Sequence, residues 1–566
     1  MLDALVWLLT IELLGLVALP LAFLLFHRLP DRGYTLSKPL ALVLFPFVLW
    51  ILGLTHLIPN SRFTIIGILV LGAAVSLWVF NRYKDQVAVF VRAEWRTLLV
   101  AEVVFLAFLL LWLGIASGSP SIDHTEKLMD FGFVNAVLQS RFFPPEDPWL
   151  AGHSISYYYF GHFIMAFLIK LTGISSGVGY NLAVTLVPAL LAMSAFGLIY
   201  NLVRLSGAGR SAALVFGLTA PVLIILIGNL EGALEFMHLR GWGGDAFWGW
   251  IGVKGLESGA NTGSGAFPDQ LWWWWRASRV IDTLADGQSL DYTITEFPFF
   301  SFVLGDLHAH VISLPFMILV LSLGMNLFLS PANLGLRWLI DHPLEAGALA
   351  LFLGSLSFIN AWDFPLMVAV LLALVLAKSY GQEGGNLQLA LRNTVFLLGP
   401  VVLLAIVLFL PFYWTFGTQA TGILPLEGQS TRPFLFFIAI GLLLFALATQ
   451  TLAQGGHGDG HDVAGHEHKE HTVTPNAVEL FHIGPLPITN SMVYTWIIMA
   501  LIFVAVRAGT RNMSDKPSGM QNLIEAAVEG LEEMTAGMLE PKVVRWCFPL
   551  VATFFLFIVV SNLMGL

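Results

Sequence analysis

Leu2-Asp-Ala-Leu-Val-Trp-Leu-Leu-Thr-Ile-Glu-Leu-Leu-Gly-Leu-Val-Ala-Leu-Pro-Leu-Ala-Phe-Leu-Leu-Phe26 opens the chain, and His27-Arg28 follow it directly. A helix needs about 20 apolar residues to cross a bilayer, and this run supplies them with only Asp3 and Glu12 as charges. It is too long for the apolar core of a cleavable signal and has no basic stretch before it, so it reads as a first transmembrane helix. Comparable stretches recur at 40–58, 63–80, 99–116, 158–171, 182–203, 212–227 and 311–329. Others follow at 344–358, 365–377, 395–412, 433–453, 488–506 and 548–566. The expectation is an all-α, polytopic transmembrane helical protein of about 12 to 14 spans, multi-pass in the cell membrane.

Composition points the same way. Of 566 residues, 57% are hydrophobic and 11% charged, whereas a soluble domain carries about a quarter charged residues. Cys547 is the one cysteine and permits no intrachain disulfide. Lys plus Arg number 27 against 37 Asp plus Glu, a net −10. Without basic stripes, no nucleic-acid partner is expected.

Orientation follows the basic residues of short loops. His27, Arg28, Arg32 and Lys38 follow the first span, and Arg82, Lys84, Arg92 and Arg96 follow the third. Both clusters are expected in the cytoplasm, with the N-terminus outside. The segment 117–156 then lies outside with Asp123, Glu126, Asp130, Glu146 and Asp147. Arg204 and Arg210 break the alternation, which points to a miscounted short stretch near Tyr158.

Two outside segments carry most of the polar chemistry. The first holds those carboxylates and runs into Tyr157-Tyr158-Tyr159-Phe-Gly-His162. Carboxylates at a membrane interface suit a general base, or hold a divalent metal ion against a phosphate. A solvated loop is the plainer reading for any one of them, and the tyrosines alone also fit an interfacial belt. The second segment, 229–299, is too long for a simple connection. Its Trp242, Trp248, Trp250 and Trp272–Trp275 suit stacking on sugar rings or plating the interface, and most are assigned to the interface. It leads into Gly-Asp306-Leu-His308-Ala-His310, where ionisable groups enter an apolar helix and point to function. Asp-x-His-x-His spreads around a regular helix, so His308 and His310 are candidate metal ligands only if the helix start is unwound. Asp363, before Pro365, is expected at a span mouth.

Thr125-Glu-Lys-Leu-Met-Asp130, Pro144-Pro-Glu-Asp-Pro-Trp-Leu-Ala-Gly152, the triple tyrosine, Gly305-Asp-Leu-His-Ala-His310 and Asn360-Ala-Trp-Asp-Phe-Pro365 together resemble the uncharacterised "YYY" membrane protein family, over about residues 1–431. That family is similar to the GT-C membrane glycosyltransferases, which use lipid-phosphate-linked sugar donors. The resemblance implies a catalytic carboxylate in the first long external loop, at Asp123 or Glu126, with Asp130 ranked lower beside its apolar Phe131-Gly-Phe run. It implies substrate binding by Tyr157, Tyr158, Tyr159, His162, Asp306 and Asp363. Function does not follow from fold alone.

The tail reads differently. Residues 432–475 form a signal-like apolar span and a His-rich linker, with His457, His461, His466, His468 and His471 among glycines and acids. A solvated linker is favoured over a Zn²⁺ or Ni²⁺ tract. Residues 476–566 hold a loop, a span ending at Arg507, an amphipathic helix with Glu525, Glu529, Glu532 and Glu533, and a last span. In that order they resemble the N-terminal part of subunit a of the F-type ATP synthase. The resemblance implies the c-ring and other Fo subunits as partners. The essential arginine of that subunit belongs to a later helix, so none of the arginines here takes that role and no complete proton channel is expected in this chain. Two origins fit the join, a fusion of adjacent genes or a truncated gene model, and the signal-like start at Arg432 favours the second. Three functions compete: membrane glycosyltransferase, Fo component, and transporter. The last would want repeated halves, and no internal repeat is present.

Overall fold

The computed structural model describes residues 2–256, 273–285, 288–290, 292–417 and 431–440, and the backbone of 479–483 and 486–489. The expected spans at 488–506 and 548–566, the His-rich tract and the Glu-rich helix lie outside the described residues, as do Trp272 and most of 432–453. The chain divides into two compact units, Met1–Thr431 and Arg432–Leu566.

The described residues of the first unit are mostly helical. It begins with α1 (Leu2–Leu25), α2 (Ser37–Leu54), α3 (Arg62–Ser117), α4 (Lys127–Gln139), α5 (Phe160–Thr172), α6 (Ser176–Leu205) and α7 (Arg210–Pro221). Short helices α8 (Glu231–Leu239), α9 (Asp245–Ile251), α10 (Trp273–Ala277) and α11 (Pro298–Leu304) fill the long second segment. A two-residue hairpin there pairs β1 (Leu284–Ala285) antiparallel with β2 (Gln288–Ser289). Then come α12 (Ala309–Phe328), α13 (Leu336–Asp341), α14 (Pro343–Ile359), α15 (Asp363–Gln382), α16 (Leu387–Leu408) and α17 (Leu410–Thr415). In the second unit, β3 (Glu479–Ile483) pairs antiparallel with β4 (Leu486–Thr489).

Among the described residues, seven helices are long and apolar enough to cross a membrane. An eighth candidate is the pair Arg210–Leu226 and Glu231–Leu239, bent by 73° across the break at 227–230. This is a multi-pass membrane protein. α6 and α12 are its inner helices, mostly buried, whereas α15 and α16 turn most of their surface outward. Helices apolar on every side suit both places, because lipid tails are as apolar as leucine.

The 56-residue α3 takes in both expected spans, 63–80 and 99–116, without a loop between them. A straight helix of that length would extend about 84 Å, and its contacts forbid that. Ser76 Oγ donates to Val17 O on α1, while Glu102 holds Lys38, which packs against Gly15 on the same stretch of α1. Residues 76 and 102 would lie about 39 Å apart on a straight rod. Both ends of α3 also meet neighbouring parts of the chain. The Arg62 guanidinium donates to Thr172 O at 3.5 Å, and Asn181 Nδ2 donates to Pro120 O at 3.0 Å. α3 therefore folds back through its polar middle, and its two apolar halves make two passes.

The stretch 158–171 is not a crossing, which restores the alternation. α5 has 13 residues, about 19 Å, where a bilayer core asks for about 30 Å. It lies alongside α4 and parallel to it: His162 meets Asp130 at 3.0 Å near their starts, and Lys170 Nζ donates to Leu138 O at 2.8 Å near their ends. Lys170 also donates to Asn60 O in the loop between α2 and α3. Both helices thus stay on one side. α6 starts there and delivers Arg210 to Glu94, at 2.7 Å, beside the basic turn of α3. By the positive-inside rule that turn is cytoplasmic, so α4 and α5 lie on the outer side.

Candidate functional site

The outer ends of the helices gather the polar residues of both outside segments. Asp130, in the first turn of α4, is buried and has both oxygens engaged. His162 Nε2 lies 3.0 Å from Oδ1, and the Leu307 amide donates to Oδ2 at 2.9 Å. The residue ranked lowest from sequence thus ties α4 to α5 and to the entry of α12. Its neighbours in sequence are apolar, but one helical turn places it opposite His162. No local signal carries that.

The entry of α12 is unwound, as an Asp-x-His-x-His site requires. Gly305 ends α11 at φ +74°, a left-handed conformation suited to glycine, and 306–308 are non-helical before Ala309 begins α12. His308 Nε2 then sits 3.2 Å from Asp306, and its Nδ1 3.4 Å from Glu126. His310 Nε2 reaches Glu296 at 3.2 Å, and the Ser301 hydroxyl donates to the same oxygen at 2.8 Å. The two imidazole rings lie 5.1 Å apart, yet each faces its own carboxylate. Among the described residues no three His, Cys, Asp or Glu side chains converge as a metal site.

The electrostatics follow from this crowding. Burial works against a charge on His308, but Asp306, Glu296 and Glu126 outweigh it and raise its pKa to about 9. Burial likewise opposes the Glu296 charge, yet His310, His308 and Ser301 hold that carboxyl down to about 2. Glu126 moves the other way: burial raises its pKa, opposed by His308 and reinforced by Asp130, Asp306 and Glu296. Lys127 is buried next to it, and burial lowers its pKa. Among the described residues His162 Nδ1 and Asp306 Oδ1 have no partner, while Asp306 Oδ2 has the His308 imidazole at 3.2 Å. Buried polar atoms are nearly always paired in a finished structural network.

The loop before α4 separates the two carboxylates expected to be catalytic. Asp123 is 69% exposed and pairs only with the adjacent His124. Glu126 is itself 52% exposed and contacts His308. Between them Thr125 has φ +57°, rare for a β-branched residue and characteristic of functional loops. The acidic pair Glu146 and Asp147 builds a flap instead. Asp147 Oδ1 accepts from the amides of Trp149 and Leu150 at 2.8 and 3.0 Å. This lays Trp149 over Gly132, where a Cβ would come within 2.3 Å of its ring.

The three tyrosines divide. Tyr157 stacks on Phe133 at 5.3 Å and on Tyr158 at 4.2 Å, above His162. Tyr159 is a core residue, edge-on to Phe358 at 4.7 Å. Asp363 stands apart from the cluster, accepting from Asn360 Nδ2 at 2.9 Å and from the Ser313 hydroxyl. The tryptophans of the second segment pack among themselves: Trp274 and Trp275 against Phe300, and Trp248 fully buried against His238. Trp242 and Trp250 remain exposed.

Comparison with known proteins matches residues 44–559 to the family described as uncharacterized membrane protein (DUF2298), and the chain belongs to that family. The chain is also similar to ATP synthase subunit a. That of Moorella thermoacetica is 44% identical over 89 residues, 15% of this chain and 39% of the relative. That of Desulfosudis oleivorans is 41% identical over 75 residues, 13% and 32%. That of Trichlorobacter lovleyi is 41% identical over 87 residues, 15% and 37%. The chain thus spans less than two-fifths of the length of these relatives. No solved structure matches.

Proposed function

We propose that the first unit of this family member is a GT-C-like membrane glycosyltransferase working at its outer face on a lipid-phosphate-linked sugar. The convergence of Glu126, Asp130, Asp306 and Glu296 with His162, His308 and His310 from separate chain segments carries this reading. Glu126 is the base: it accepts the proton of an acceptor hydroxyl as that oxygen bonds to the anomeric carbon. The bond from that carbon to the lipid phosphate breaks, and the phosphate leaves with the electron pair. His308, an imidazolium at neutral pH, and Lys127 face the charge that develops there. Asp130 and His162 position the entry of α12 that presents His308.

Purified full-length protein is given polyprenyl-phosphate-linked sugars, and released polyprenyl phosphate is measured. The expected result is turnover that Glu126→Gln removes while the variant still folds. Turnover equal in wild type and Glu126→Gln, or none in wild type with any donor class, overturns the reading.

The likeness to subunit a supports a second reading for the segment it covers, association with the membrane sector of an ATP synthase. Co-purification of a c-ring with the full chain tests it.

A further inference from the structure

A second polar site lies on the opposite, cytoplasmic side, where α1, the turn of α3 and the α13–α14 junction meet. It is a cleft of about 410 Å³ whose polar lining includes His27, Arg32, Tyr83, Gln86 and His342. Leu24, Leu25 and Leu344 are shared with an apolar trough of about 220 Å³ running along α1, α2 and α14 past Leu44, Leu351 and Phe352. A polar chamber opening into an apolar trough has the shape of a lipid, with a headgroup at one end and an acyl chain at the other.

The charge of the chamber is decided by which groups are already answered. Glu345 takes a two-point contact from Arg28 and another from His342 Nδ1 at 3.4 Å. Asp341 pairs with Arg337 at 3.6 Å. Arg32 has no carboxylate partner among the described residues; it donates to the His27 carbonyl and lies over the Phe23 ring at 5.3 Å. Its backbone is left-handed, at φ +53°, an unfavourable state for a long side chain. The adjoining turn is held rigidly. Buried Asp31 accepts from the Gly33 amide at 3.0 Å, the Thr35 hydroxyl at 2.6 Å and Asn201 Nδ2 at 2.8 Å. A buried network thus sustains a strained residue whose cation is left unpaired at the chamber wall.

We propose that this cleft binds one anionic phospholipid of the cytoplasmic leaflet, its phosphate on Arg32 and an acyl chain in the α1–α2–α14 trough. Guanidinium is the fitting partner, because its fork matches phosphate oxygens, and basic pockets between helices on this side suit lipid headgroups. The inference is independent of the outer-face reading and survives its failure.

Full-length protein in nanodiscs of phosphatidylcholine, or of phosphatidylcholine and phosphatidylglycerol in equal parts, is transferred to detergent, and retained lipid is counted by native mass spectrometry. Phosphatidylglycerol should be retained selectively. Arg32→Asn, which removes the cation with a residue that tolerates the left-handed backbone, should weaken retention about tenfold, the scale of one charge-assisted hydrogen bond. Leu344→Trp, which obstructs the trough and leaves the charges alone, should weaken it too. Soluble glycerol phosphate should not raise the melting temperature as the lipid does. Equal retention of the two lipids, retention unchanged in both variants, or full protection by glycerol phosphate overturns the proposal.

Discussion

Charge is buried at both ends of this helical bundle, and the two ends treat it differently. On the cytoplasmic side the groups are matched. Lys38 answers Glu12 at 3.1 Å and Glu102 at 2.7 Å, and the Tyr34 hydroxyl completes Glu102 at 2.7 Å. Glu94 answers Arg210, and the Tyr200 hydroxyl donates to it at 2.9 Å. These contacts join α1, α2, α3, α6 and α7, with Nε of Arg204 and of Arg210 left without a partner among the described residues. On the outer side four carboxylates face mainly imidazoles, at 3.0 to 3.4 Å, and His162 Nδ1 and Asp306 Oδ1 have no partner among the described residues. The two ends differ in the kind of partner: lysine and arginine carry a fixed charge and make the first set a brace, whereas the charge of an imidazole depends on pH.

The sharpest way to break that contrast is Glu126→Gln. It should reduce sugar transfer by about 10²- to 10⁴-fold, the usual worth of a general base, with an unchanged melting temperature. An equal loss of stability would make the outer cluster a brace as well. Lys38→Met should do the reverse, destabilising the fold by about 3–5 kcal/mol because Glu12 and Glu102 are left uncompensated, as denaturation of the reconstituted protein would show.

A pH series separates the ends further. The pKa of His308 lies above its ordinary value, so its stabilising contribution is complete below about 6.5 and disappears as pH rises through about 9. Transfer should fall over the same upper range. Glu296 is held low, so its contribution persists above about 4.5 and is lost only as pH falls towards about 2. Loss of transfer by pH 7 would remove the imidazolium from the mechanism. Gly132→Ala should cost about 1–3 kcal/mol through overpacking against Trp149, read as a lower melting temperature. Asp123→Ala should have the smallest effect, within about 0.5 kcal/mol of stability and with near-normal transfer. A large loss of transfer would return the base to that exposed residue.

Much of this was legible in the residues. The apolar runs placed α1, α2, α6, α12, α15 and α16, whereas the spacing of Asp306, His308 and His310 made the unwinding seen at Gly305–His308 only a condition of a metal site. Other features were beyond reach. Hydropathy registered two runs in 63–116 but not the absence of a loop between them, because a basic stretch in the middle of a helix and one in a loop have the same composition. Asp130 was ranked low on its neighbours Phe131 and Phe133, although its partners are His162 and Leu307. Tyr159 was grouped with Tyr157 by adjacency, yet one faces Phe358 in the core and the other lies over the polar cluster.

The sequence by itself determined that this chain lives in a membrane, where its apolar helices lie, and which two segments hold most of the polar residues between them. These depend on transfer free energies that add along the chain and need no knowledge of contacts. Only the tertiary structure decided that α3 folds back, that α5 stays on one side, that Asp130 lies at the centre of the outer cluster, and that Arg32 lines a cleft with no carboxylate partner among the described residues. Those depend on which distant groups meet: Asp130 with Leu307, Arg28 with Glu345, Asp31 with Asn201. Pairings across such separations are set by how helices pack, and packing is a property of the assembled bundle rather than of any local run of residues.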